Sequence, residues 1–137
     1  MDEKMKYTGI WMDKSKAIVV SIEKGKEKMD TILSEIEDFR IKGGSGSRMK
    51  GGPQDVVQDS RYLEREKGQF KIFFKKLVPF IEDCDAVVIL GPAQAGNKFS
   101  KALSEDHRDL YSKVQSVEKT DNMTDNELKA WVREYFG

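Results

Sequence analysis

One cysteine, one histidine and three prolines in 137 residues leave several chemistries without material. Cys84 has no partner for an internal disulfide and lies beside an apolar run, where a thiol packs. With so few thiols and imidazoles no zinc-spaced cluster exists, and neither a metal nor a cofactor is expected. His107 stands in the charged stretch Ser104-Glu-Asp-His-Arg-Asp109 and reads as a solvated surface residue, not as part of a hydrolytic triad. Charge of one sign is also lacking, since 24 Lys+Arg meet 24 Asp+Glu. That balance excludes a uniformly basic nucleic-acid coat, so any polyanion contact must be local. The longest apolar run, Ala86 to Leu90, has five residues, against the roughly 20 that cross a bilayer. The start carries no apolar stretch of a signal peptide, and a cytoplasmic domain without membrane contact is expected.

What is present suffices for a core. Seven Phe, four Tyr and two Trp accompany β-branched runs, so the 35% charged residues do not make a disordered tail. The length predicts one domain, residues 1–137. Tyr7 to Met12 and Lys16 to Ile22 read as strands around the polar turn Asp13-Lys14-Ser15-Lys16. Glu27 to Asp38 reads as a third strand of the same meander, entered through Gly25. From Asp55 the period becomes helical: Leu63, Phe70, Phe73, Phe74, Leu77 and Ile81 share one stripe, and Pro79 should end the helix or kink its last turn. At about 25 residues this helix would be about 37 Å long and would stand proud of a domain this small. Ala86 to Leu90 reads as a central strand covered on both faces. A helix over Ala93 to Leu103 and a fifth strand over Val114 to Glu118 follow. The pattern Thr124-Asp-Asn-Glu127 then opens a last helix. The order β-β-β-α-β-α-β-α predicts a five-stranded mixed sheet of the RNase H-like α/β arrangement. The expected core is Ile10, Ile18, Val20, Leu63, Phe70, Phe74, Leu77, Val87, Ile89, Val114, Val117, Leu128 and Trp131. Trp11, like Trp131, holds an apolar-periodic position and is expected inside.

Three places offer chemistry. Arg40 to Gln54 carries five glycines and the cations Arg40, Lys42, Arg48 and Lys50 without an acid, and is expected to be a mobile loop. Backbone N–H groups at Gly43, Gly44, Gly51 and Gly52 beside those cations suit phosphate oxygens. The plain alternative is a solvated surface loop. Gly91-Pro92-Ala93 closes the fourth strand where open α/β sheets bind ligands, or is simply a tight turn. A two-metal nuclease would need converging carboxylates, but Asp13 falls past the first strand, Asp83 and Asp85 precede the fourth, and Glu118 has no evident partner.

Together, several segments resemble the middle (Gly-Gly-Gln) domain of archaeo-eukaryotic peptide-chain release factors and Pelota, and more closely its stand-alone bacterial and archaeal relatives. They are Gly9-Ile-Trp-Met-Asp13 with Lys16-Ala-Ile-Val-Val20, the loop from Lys42-Gly-Gly to Gly51-Gly-Pro-Gln54, Arg61-Tyr-Leu-Glu-Arg65 through Phe73-Phe74, Val87-Val-Ile-Leu-Gly-Pro92, and Lys119-Thr-Asp-Asn-Met-Thr124. In that family a Gly-Gly-Gln tip before the long helix promotes peptidyl-tRNA hydrolysis on the ribosome. Here Gly43-Gly44-Ser45 and Gly51-Gly52-Pro53 replace it, and Gln54 comes one position late. The resemblance therefore implies a translation-linked module touching rRNA or tRNA through the loop, without catalysis. The alternatives are a residual hydrolase using Gln54, a metal nuclease using Asp13, and a protein-interaction module.

Overall fold

The computed structural model describes residues 4–36, 52–92 and 94–137, with 52–62 entering through the backbone alone. The strands are β1 (Lys6–Met12), β2 (Lys16–Glu23), β3 (Lys26–Leu33), β4 (Ala86–Gly91) and β5 (Val114–Lys119). The helices are α1 (Gly52–Ile81), α2 (Ala95–Asp106), the short α3 (Arg108–Tyr111) and α4 (Asp125–Phe136). The sheet order is β3-β2-β1-β4-β5, with β1 antiparallel to β2 and parallel to β4. This is the five-stranded mixed sheet that the element order predicts.

Local chemistry explains the turns. Asp13 Oδ1 accepts from Ser15 N, Ser15 Oγ and Lys16 N at 2.8, 2.8 and 2.9 Å, which closes the β1–β2 hairpin with a side-chain-made turn. Between β2 and β3, Lys24 and Gly25 both take positive φ (54° and 77°), the geometry of a two-residue hairpin whose twist suits the strands. The capping box forms as its spacing predicts: Thr124 N donates to Glu127 Oε1 and Glu127 N to Thr124 Oγ1.

Strand alternation divides the core into two layers. Ile10, Met12, Ala17, Val19, Val87 and Ile89 face α1 and α2, meeting Phe70, Phe73, Phe74, Leu77, Ile81, Phe99 and Leu103. Trp11, Ile18, Val20, Ile22, Val88 and Leu90 face α4 through Leu128 and Val132. α4 sits close because β1 offers it a glycine. A Cβ on Gly9 would lie 2.4 Å from Val132 Cγ2.

Three expectations need correction. Leu63 is 61% exposed, not core. α1 has 30 residues, about 45 Å at 1.5 Å per residue, whereas strands of six to eight residues span about 20–27 Å. The apolar stripe thus continues past the sheet that would cover it. Val114, Val117 and Trp131 are half-buried and pack on the core's margin: β5 is an edge strand whose two valines meet the α1–α2 layer, and Trp131 of α4 packs at the rim of the other layer. The 40–54 segment also ends earlier than its composition suggests, since Gly52, Pro53 and Gln54 belong to the first turn of α1, where proline's missing N–H costs nothing. Pro79 lies inside the last turn and the helix runs two residues beyond it.

The two ends of the α1 stripe should behave differently on truncation. Phe73→Ala, at a fully buried site, is expected to lower unfolding free energy by about 3–5 kcal/mol. Leu63→Ala should change it by no more than about 0.5 kcal/mol. Urea titration of both variants checks this.

Candidate functional site at the carboxyl ends of the parallel strands

β1, β4 and β5 run parallel, so their carboxyl ends meet at one edge of the sheet. Gly91 is the meeting point. It pairs with Lys119, and its carbonyl accepts from Thr120 N at 2.9 Å. A Cβ there would lie 2.2 Å from the Met12 carbonyl oxygen, an approach open only to glycine. Pro92 follows, half-buried, and α2 starts at Ala95 with no side-chain cap on its first turn and no acid in it. Gly96 lets α2 pack tightly, with Ile89 Cγ2 2.9 Å from where its Cβ would stand. On the α4 side, Trp11 Nε1 donates to the Asp121 carbonyl at 3.2 Å and holds the chain after β5 against β1. Thr120 Oγ1 is buried with no hydrogen-bond partner among the described residues.

The same edge holds an ionic clamp that residue spacing alone does not disclose. Glu66 of α1 receives Lys14 of the β1–β2 turn at 2.7 Å and stands 3.9 Å from Lys98 of α2. Lys98 Nζ also lies 4.6 Å from the centre of the Phe70 ring. Three elements far apart in sequence are thereby tied around one carboxylate. Glu66 precedes Phe70, the first buried α1 side chain among the described residues, while Leu63, Glu64 and Arg65 are exposed. α1 runs for fourteen residues before Glu66, about 21 Å of helix.

The carboxylates named for a nuclease are not gathered. Asp13 is occupied by its turn at the carboxyl end of β1. Asp83 and Asp85 lie at the opposite edge, where Lys6 Nζ reaches Asp83 at 3.1 Å and Lys6 N donates to Asp85 Oδ2 at 2.8 Å. The hydrogen bond from Lys6 is the main cause that holds the Asp83 carboxyl below the usual aspartate range. Glu118 sits on β5 opposite Leu90. Among the described residues no three His, Cys, Asp or Glu side chains group as metal ligands would. Cys84 is buried, its Sγ–H donates to the Ile81 carbonyl at 3.2 Å, and burial pushes its pKa up, so it packs as expected. His107 joins α2 to α3 through its backbone: its N–H donates to Leu103 O and its carbonyl accepts from Tyr111 N.

Of the phosphate-binding candidates, Arg40, Lys42, Gly43, Gly44, Arg48, Lys50 and Gly51 lie outside the described residues, and Gly52 and Gln54 are placed by backbone in the first turn of α1. The basic face of the helix forms a stripe on the packed part of α1. Lys67, Lys71 and Lys75 recur every four residues and are exposed. Their spacing is readable in advance, but residue types alone do not separate a solvated face from a binding face.

No protein-family model matches the sequence, and no curated protein matches it. Solved structures match in fold. The Thermoplasma acidophilum Pelota protein aligns at TM-score 0.55 and 18% identity over 97% of this chain and 34% of that chain. The archaeal translation termination factor aRF1 aligns at TM-score 0.53 and 14% identity over 91% of this chain and 32% of that chain. The PilM–PilN type IV pilus biogenesis complex aligns at TM-score 0.50 and 10% identity, over 97% and 44%. The chain spans about a third of the length of Pelota and aRF1. At these identities the likeness establishes the fold, a five-stranded mixed α/β domain like the matching part of Pelota and aRF1.

Two measurements test the geometry. Gly91→Ala must displace a backbone oxygen and is expected to cost about 2–4 kcal/mol, whereas Gly68→Ala, with open space around its Cβ, should gain up to about 1 kcal/mol; thermal melts decide. Asp83, with its folded pKa depressed, contributes stability above the unfolded value of about 4, and that contribution is lost as pH falls through the lower folded value. Asp83→Asn should accordingly flatten the acid limb of the stability profile below about pH 4, by a small amount because the side chain is 69% exposed.

Proposed function

We propose that this chain is a cytoplasmic, translation-linked module that associates with the ribosome, through rRNA or tRNA, by way of the Gly-rich basic segment preceding α1, without hydrolysing peptidyl-tRNA. The observation that carries the reading is the fold match to aRF1 and Pelota along nearly the whole chain, joined to the place of the basic segment. That segment leads straight into α1, a helix of 30 residues on which Leu63 is already exposed. Arg40, Lys42, Arg48 and Lys50 then serve as phosphate contacts, and the glycine N–H groups accept close backbone approach. No contiguous Gly-Gly-Gln stands in the chain. Pro53 occupies the place before Gln54, which is the reason for assigning association rather than hydrolysis.

The test is sedimentation with purified ribosomes across a salt series. Arg48→Ala with Lys50→Ala should weaken association and flatten its salt dependence by roughly 0.7–0.9 in log–log slope per lost phosphate contact, with an unchanged melting temperature. The wild-type chain should release no peptide from ribosomes programmed with peptidyl-tRNA. Release that disappears in Gln54→Ala would make it a hydrolase instead.

A further inference from the structure

The chain is neutral overall, yet its charges are not evenly spread. From Lys67 to Ile81, α1 contains Lys67, Lys71, Lys75 and Lys76 and no acid. α2 adds Lys98 and Lys101 before its first acid, Glu105. Ion pairs join Lys6 to Asp83, Lys14 to Glu66, Lys76 to Glu35 and Arg133 to Glu27. The ammonium groups of Lys67, Lys71, Lys75 and Lys101 make no ion pair or hydrogen bond with a described residue, and all four side chains are exposed. Positions four apart share one helix face, with about 6 Å of rise between them. That is of the order of the distance between successive phosphates along a nucleic-acid strand. Lys98, beside Phe70 and Glu66, ties α2 to this part of α1, and Lys101 stands exposed one turn farther along α2.

We propose that the outward face of α1, with Lys67, Lys71 and Lys75 as its contacts, follows the phosphate backbone of an RNA duplex. The inference rests on the reading of the chain as an RNA-associated module, and adds a second contact surface to the Gly-rich segment. Charge complementarity favours RNA over an acidic protein. Ile72, 60% exposed, is the one large apolar side chain exposed on this part of the helix among the described residues, and a protein interface needs a broader apolar centre. Evenly spaced single charges without such a centre give backbone contact that is indifferent to sequence. Glu64, exposed one turn before Lys67, bounds the stripe toward its amino-terminal end.

Fluorescence anisotropy with a short RNA duplex, and sedimentation with purified ribosomes, test this on the full chain. The variant Lys67→Glu, Lys71→Glu, Lys75→Glu should bind the duplex at least tenfold more weakly. The milder triple change to Gln should lower the log–log salt slope by about two to three, one phosphate per lysine at roughly 0.9 each. Reversing Lys24, Lys26 and Lys28, exposed at the far hairpin, should do neither. Circular dichroism melts confirm that each variant is folded, and the Gln variant carries the test if charge reversal unfolds the protein. Unchanged binding in the folded triple variant, while wild type binds and the Arg48/Lys50 variant is weakened, overturns this inference and leaves the module reading intact. A wild-type chain that binds neither probe overturns both. Competition by polyglutamate as strong as that by RNA overturns RNA as the occupant in favour of an acidic protein.

Discussion

Everything in this molecule hangs on β1 being paired on both sides in opposite senses. Antiparallel pairing with β2 is local and needs only the Asp13-capped turn. Parallel pairing with β4 joins Tyr7 to Ala86 and Trp11 to Leu90, and must close a chain of more than seventy residues. Loop closure of that size costs only slowly more with length, and the buried faces of β1 from Thr8 to Met12 and of β4 offset it through apolar area removed from water. Once the pair exists, β1, β4 and β5 end at one edge, with Gly91 touching the Met12 carbonyl. The same pairing places α1 and α2 on one face, where their phenylalanines share a layer, and α4 on the other.

The mismatch between α1 and the sheet is the second organising fact. Its carboxyl half supplies Phe70, Phe73, Phe74, Leu77 and Ile81 to the core, while Leu63, two turns before Phe70, is exposed. Glu66 marks the transition and is held from both sides by lysines. The lysine stripe occupies the packed part, so its geometry is set by the core. The two proposed contact regions therefore differ in kind: one is glycine-rich backbone before the helix, the other a spaced row on a packed scaffold.

Local patterns made most elements legible. The Ala86-Val-Val-Ile-Leu90 run needed a strand buried on both faces, Thr124 and Glu127 needed a capped helix, and the aromatic spacing from Phe70 to Ile81 needed a stripe; each depends on neighbours within a few residues. The absence of an adjacent cysteine and of a zinc-spaced set, the balance of charge and the missing Gly-Gly-Gln are likewise properties of the chain as written. Tertiary structure alone decided what lies far apart in sequence. Leu63 satisfies the α1 period as well as Phe70 does, but only the finite length of the sheet reveals that nothing covers it. The Lys14–Glu66–Lys98 clamp unites a turn and two helices, and Gly91 owes its identity to a carbonyl seventy-nine positions earlier. Lys67, Lys71 and Lys75 became a distinct surface only when the fold placed them exposed on one helix face, without an ion pair to a described residue. Net charge is a sum, and a sum carries no positions; the fold assigns them.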